Sequence, residues 1–149
     1  MIQMKSLSFF LLILLTTTFN CNADQVENKQ LSTIEADIKT IMEANLKSLQ
    51  DENMEALLAT IHPESSSKSQ MKPLMTRIFK TYDLKYEILS YKYITFDGEL
   101  AYVRVKQRTT KISGPAFKDN ELEQVNILKQ DNGSWKILTS AQFNLKFIK

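Results

Sequence analysis

Histidine is the side chain whose ordinary pKa lies nearest neutrality, and this chain has one, His62. Proton transfer at pH 7 would turn to it first, with a carboxylate to orient it and a hydroxyl nearby. It stands between Ile61 and Pro63, where an apolar helical stripe stops, so the mouth of a cavity is one expectation for it. The other is local: an imidazole near a helix C-terminus, favourable to the dipole there. Tyr86 offers a hydroxyl on a segment whose Leu84 and Ile88 share its face. Glu123 shares a face with Val125 and Ile127, while Leu122 and Leu128 belong to the opposite one; alternation leaves open which face is buried. An exposed carboxylate paired across to the neighbouring strand is the simpler reading of Glu123. His62, Tyr86 and Glu123 are thus the set for an enzymatic reading. Spacing assigns no carboxylate to His62, and the balance leans away from catalysis.

Uncharged polar residues suit binding better. Gln107, Thr109 and Thr139 share faces with apolar neighbours, and a buried polar group must find a partner. A small ligand or ordered water could serve, which makes these three the pocket-lining candidates. Arg104, Lys106 and Arg108 form a basic stripe beside Tyr102, with Glu121 and Glu123 in the next strand segment to oppose it. One histidine and one cysteine exclude a multi-histidine or thiolate metal site. The chain has no Gly-rich phosphate loop, nucleophile elbow or dinucleotide fingerprint. Neither metal nor cofactor is expected.

The first residues read as an export signal. Lys5 is the only charge before an apolar run from Phe9 to Leu15, and Asn20-Cys21-Asn22-Ala23 follows. Cleavage after Ala23 is expected, with small Cys21 at −3 and Ala23 at −1, and the run is far short of the ~20 residues a spanning helix needs. Processing at Cys21, with lipidation there, is the alternative, although bulky Phe19 and Asn20 fit it poorly. The working location is then periplasmic or secreted, or lipid-anchored to the envelope in the alternative. A membrane is a partner only if Cys21 is lipidated. Removing residues 1–23 takes away Lys5 and the one cysteine. Of the net charge of +2, about +1 remains, too weak a field for nucleic acid.

Those candidates need elements to position them. Residues 24–31 are polar and aperiodic and read as a flexible lead-in to one domain over 32–149. Ser32 and Glu35 form a capping-box pattern, and Ile34, Ile38, Ile41, Met42, Leu46 and Leu49 follow at helical spacing. Asn53 caps a second helix carrying Met54, Leu57, Leu58 and Ile61, which Pro63 ends. A third stripe runs through Met71, Leu74, Met75, Ile78, Phe79 and Tyr82, with Pro73 tolerable in a first turn. The three glycines then fall in Asp97-Gly98, Ser113-Gly114-Pro115 and Asn132-Gly133, turn signals that divide residues 84–147 into four strands. In the first strand the apolar phase changes between Ile88 and Leu89, which predicts a bulge. In the last, Trp135, Ile137, Thr139, Ala141, Phe143, Leu145 and Phe147 alternate without a break. The expected class is α+β, with three helices on one face of a four-stranded antiparallel sheet.

The motifs Leu49-Gln50-Asp51-Glu52-Asn53, Ile61-His62-Pro63-Glu64, Asp97-Gly98-Glu99-Leu100-Ala101-Tyr102-Val103 and Asp131-Asn132-Gly133-Ser134-Trp135-Lys136-Ile137 resemble those of nuclear-transport-factor-2-like proteins. That superfamily is also described as SnoaL-like or cystatin-like. The match covers about residues 32–147. It implies a cone, in which a strongly curved sheet wraps a helix and leaves a pocket at the open end, and homodimers through the outer sheet face. It is closest to exported bacterial members without an assigned activity. The resemblance implies binding of a small apolar or amphipathic ligand or a protein partner. The alternative is an isomerase, cyclase or hydrolase of the ketosteroid-isomerase or SnoaL type in the same cone.

Overall fold

The computed structural model describes residues 21–148, with side chains from residue 28 onward. The export signal expected at 1–23 thus falls almost wholly outside the described residues, as does the side chain of Cys21. Helix α1 runs Cys21–Gln50 and takes in residues 24–31, where a lead-in was expected. That stretch holds no glycine or proline, so nothing in it breaks a helix. Ser32 is accordingly not a cap: its hydroxyl donates to the Lys29 carbonyl within the helix. From Ile34 the stripe behaves as expected, with Ile34, Ile38 and Met42 buried and Ile41 packed against them.

The helix ends where Glu52 turns left-handed (φ 52°) and the Asn53 N–H reaches back to the Ser48 carbonyl at 2.9 Å. Asn53 then starts α2 (Met54–Ala59), its side-chain oxygen accepting from the Ala56 N–H at 3.0 Å. Helix α3 covers Lys68–Thr81, with Pro73 inside it and beyond its first turn. Among the described residues no helix is long and apolar enough to cross a membrane.

The strands β1 (Asp83–Phe96), β2 (Leu100–Ser113), β3 (Asn120–Asp131) and β4 (Ser134–Phe147) pair antiparallel in that order. Asn132 and Gly133 both take positive φ, 50° and 76°, as a two-residue hairpin turn demands. The β1 register slips between Ile88 and Ser90, where the phase change predicted it, and again between Tyr93 and Thr95. The slips leave Tyr86, Ile88, Tyr91, Tyr93 and Phe96 opposite Thr109, Gln107, Val105, Val103 and Ala101. Opposed residues share a face, so Tyr91 and Tyr93 turn inward and pack on the core.

The unbroken alternation expected in β4 does not hold. Slips at Leu138 and Phe143 put Ser140 opposite Asn126 and Gln142 opposite Gln124, both inward. Trp135 and Ile137 stay buried, while Phe143 and Phe147 are more than half exposed. Each bulge bends its strand, and together they curl the sheet around α1 without closing it. The result is the α+β architecture of three helices on a four-stranded antiparallel sheet. Its core is Ile38, Val103, Val105 and Leu128, each at most 1% exposed. Trp135 stands edge-on to Phe96 with ring centroids 5.7 Å apart.

Both sheet edges are covered in part, which limits strand addition. Along β1, the Gln50 side chain accepts from the Tyr86 N–H (2.9 Å) and donates to the Leu84 carbonyl (3.2 Å). Along β4, the segment after α2 adds a parallel bridge. The His62 N–H donates to the Ile137 carbonyl at 2.9 Å, and the Ile137 N–H donates to the Thr60 carbonyl at 2.8 Å.

Candidate functional site

At one end the curled sheet closes on α1. At the other it stands off α3, and a cavity of about 540 Å³ lies between them, within the ~300–1,000 Å³ range of small-molecule sites. Its two sides differ in chemistry. Helices contribute mainly alkyl and thioether groups, Leu49, Leu57, Met71, Met75 and Ile78, with Asn45 as an amide of α1. The sheet contributes Gln107 and Thr109 from β2, Asn120, Gln124 and Asn126 from β3, and Thr139, Ser140 and Gln142 from β4, set among the apolar Leu84, Leu122 and Ile137. Met71, Met75 and Ile78 follow helical spacing, and inward positions alternate along β2 and β3, while adjacent Thr139 and Ser140 both reach the wall beside the β4 bulge at Leu138.

Among the lining residues there is no carboxylate, imidazole, ammonium or guanidinium group. Tyr86 is the one ionisable side chain there. Burial first, then the nearby Glu52, pushes its hydroxyl up to about 12, so at neutral pH it is an uncharged donor.

Asn126 is the most enclosed polar residue, 1% exposed. Its Oδ1 accepts from the Ser140 hydroxyl at 2.6 Å and from Gln124 Nε2 at 3.2 Å. Its Nδ2 has no acceptor among the described protein atoms. A buried donor left unpaired costs about 1–3 kcal/mol. Asn45, also on the wall, is satisfied, donating to Thr60 Oγ1 at 2.7 Å.

The residues singled out by sequence separate cleanly. Gln107, Thr109 and Thr139 all line the cavity. Of His62, Tyr86 and Glu123, only Tyr86 does. His62 is 4% exposed, and its Nδ1 accepts from the Glu64 N–H at 3.1 Å while its carbonyl accepts from the Ser65 N–H at 3.0 Å. It ties a turn together. Ile61, its neighbour, takes the cavity-facing position. Glu123 lies on the outer face, its Oε2 2.5 Å from Arg104 Nη2.

On that outer face each cation of the basic stripe has a carboxylate partner. Lys106 and Arg108 both reach Glu121, at 2.7 and 2.6 Å. Lys106 first, then Arg108, holds the Glu121 carboxyl down at about 2 by hydrogen bonding. The Arg104 guanidinium also lies over the Phe143 ring, 4.7 Å from its centroid. Among the described residues no three histidine, cysteine or acidic side chains are placed to hold a metal ion.

Sequence reasoning missed Asn120, Gln124, Asn126, Ser140 and Gln142. For the first three a signal existed. Positions 120, 122, 124, 126 and 128 carry no charge, while 121, 123 and 129 all do. The β4 residues were hidden by the two bulges.

The family model described as the anti-sigma-I factor RsgI9, C-terminal domain, matches residues 40–148. No curated protein sequence matches the chain. Among solved structures, an NTF2-like protein of unknown function from Pseudomonas putida KT2440 superposes with a TM-score of 0.63 at 11% identity, covering 74% of this chain and 86% of its own. The beta subunit of the benzoate 1,2-dioxygenase from Burkholderia mallei gives 0.62 at 14% identity, covering 74% and 89%. A ketosteroid isomerase-like protein from Erwinia carotovora atroseptica gives 0.55 at 17% identity, covering 73% and 95%. Likeness at these identities shows the fold, which is the nuclear-transport-factor-2-like cone. That fold carries enzymes and proteins of unknown function alike.

Proposed function

The chain belongs to the family of the anti-sigma-I factor RsgI9 C-terminal domain, and from that premise we propose that it is a non-catalytic domain binding a small, uncharged, amphipathic ligand in its cone. One observation carries this reading: the cavity wall pairs alkyl groups with uncharged amides and hydroxyls and holds no general acid or base suited to neutral pH. The enzymatic alternative needed His62 and a carboxylate at the wall. His62 is engaged in a turn and Glu123 is paired on the other side of the sheet. The family description, a domain of an anti-sigma factor, is that of a regulator and supports the same direction.

The proposal keeps the domain outside the cytoplasm, on the strength of the Lys5 start, the apolar run and Ala23. It also has two copies meeting through the outer sheet face, where Phe143 is 52% exposed. Native mass spectrometry of protein purified from its own envelope fraction tests all three points. The expected species is a dimer, each subunit beginning at Asp24 without lipid and carrying one small neutral adduct. Ligand-free protein in that preparation, or turnover of an adduct that dissociates, would reject the binding role. A lipid-bearing N-terminus at Cys21 would move the protein to a membrane surface.

A further inference from the structure

We propose that the free edge of β4, residues 139–147, takes an extended acidic peptide as a fifth strand of the sheet. The proposal goes beyond the small-ligand reading, since its site is a row of backbone groups at the sheet edge.

The fold itself begins that strand. β4 ends the sheet order β1-β2-β3-β4, and on its far side Thr60 and His62 exchange backbone hydrogen bonds with Ile137. Ile61, between them, lines the cavity. A residue in the fifth-strand position thus sends its side chain into the cone. The chain leaves at Pro63, where the His62 carbonyl turns to the Ser65 N–H. Among the described residues no backbone pairs with that side of β4 from 139 to 147.

Unpaired edges are usually guarded by charge, proline or cover. β1, the opposite edge, carries Asp83, Lys85, Glu87 and Lys92 and is capped by Gln50. The stretch 139–147 has one charge, Lys146. Leu145 and Phe147 stand opposite Leu122 and Asn120, which line the cavity, so both share the inner face. Each is more than half exposed. A neighbouring strand is what ordinarily covers such side chains.

Charge selects the occupant. Glu121, opposite Lys146, is already held by Lys106 and Arg108. Lys118 lies over the Phe147 ring, and Asp119 beside it accepts from the Lys111 N–H. Across the cavity α3 carries Lys68, Lys72, Arg77 and Lys80 and no acidic residue. An acidic strand complements these cations. A second copy of β4 does not, because 139–147 holds no aspartate or glutamate. An anionic polymer without backbone amides would leave the donors and acceptors of the edge unused.

The test titrates one peptide, acetyl-Glu-Val-Thr-Val-Thr-Leu-Glu-amide, into the full processed chain and follows backbone amides by nitrogen-edited NMR. Its apolar residues share one face, and a carboxylate at each end lets either strand direction bring one toward Lys118 and Lys146. Binding is expected to slow amide exchange within 139–147 and to leave β1 unchanged. Two backbone-methylated forms decide the mode, because successive residues of a strand point their backbone groups to opposite sides. Methylating one alternate set of amides should weaken binding at least about tenfold, and methylating the other set less than about threefold. The lysine-ended counterpart should bind about three- to tenfold more weakly than the glutamate-ended peptide. That difference should close in high salt and in the double variant Lys118→Gln, Lys146→Gln, whose two positions are exposed. Equal loss in the two methylated forms overturns strand addition. Equal binding of the glutamate- and lysine-ended peptides overturns the acidic assignment. No binding at millimolar peptide, or β4 amides already protected by self-association of the free chain, overturns the proposal as a whole. None of these outcomes touches the small neutral adduct expected in native mass spectrometry, so the two readings fail separately.

Discussion

At its narrow end the sheet meets α1 through Ala101, Val103 and Val105 of β2, Leu128 of β3 and Trp135 of β4, packed on Ile34, Ile38 and Met42. At its wide end the same strands present Gln107, Thr109, Gln124 and Gln142 to α3, a helix with no fully buried residue. Inward positions carry a different composition in the two halves, apolar throughout at the narrow end and largely carboxamide and hydroxyl, beside Leu84 and Leu122, at the wide one. An alkyl face holds a helix by removing apolar area from water, at roughly 25 cal/mol per Å². A carboxamide face gains little from that contact and loses hydration, so α3 stands off and a cavity results. The cone's opening follows from residue choice at a few strand positions, together with the β4 bulges that turn Ser140 and Gln142 inward.

If the narrow end is where stability resides, truncation there should have the largest effect. Leu128 is fully enclosed, and Leu128→Ala is expected to cost about 2–5 kcal/mol in urea unfolding. A loss below ~1 kcal/mol would erase the distinction between the two ends. Next comes the joint between them. Gly114 has φ 113°, and a Cβ there would lie 2.7 Å from the Thr81 carbonyl at the end of α3. Gly114→Ala should cost about 1–3 kcal/mol, because neither the backbone nor the close neighbour can give way cheaply. Exchange of backbone amides in α3 should accelerate in that variant more than exchange in β2, since the close contact holds the helix end against the sheet.

The two ends also differed in how readily sequence disclosed them. The narrow end was legible: the Ile34–Ile38–Met42 stripe, the Val103–Val105 alternation and the Asn132-Gly133 turn each have one physical reading, and the structure follows it. The slip at Leu89 was legible too, because apolar residues on both sides of it had to reach one face. The slips at Leu138 and Phe143 were not. Residues 135–147 alternate well enough to pass for one regular strand, and only pairing with β3 shows that Ser140 and Gln142 face inward. Asn126 stayed hidden because Val125 and Ile127 flank it, which makes the wrong face look apolar. The start of α1 was misjudged at Ser32, since a capping pattern does not show whether the turn before it is already helical.

The outer face supplies a control, being charged and turned away from the cavity. Glu121 is held at about 2 against an ordinary value of 4.5, chiefly by Lys106 and then by Arg108. A carboxyl whose pKa is lowered by folding contributes stability that is fully present above the unfolded value and is lost as pH falls through the folded one. Wild-type stability should therefore fall between pH ~4.5 and ~2, and in Glu121→Gln that part of the slope should be missing. Identical pH profiles would show that the cluster adds nothing to folding. Binding of a neutral probe at pH 7 should be unchanged in the variant, because Glu121 lies on the face opposite the cavity.

The smallest effect on stability is expected at the wide end, and there it is most informative. Met75 is only partly buried and borders the cavity, so Met75→Ala enlarges a space already present and creates no new void in the packed core. Its cost should stay under ~1 kcal/mol, below the usual range for a buried methionine. Affinity for a small neutral probe such as 2-acetylnaphthalene should nevertheless drop about three- to tenfold, because the ligand loses an apolar surface that folding did not need. A folding loss as large as that of Leu128→Ala would show that α3 is part of the core. It would then follow that the cavity is a packing irregularity, since a helix essential to the core cannot stand off the sheet to admit a ligand.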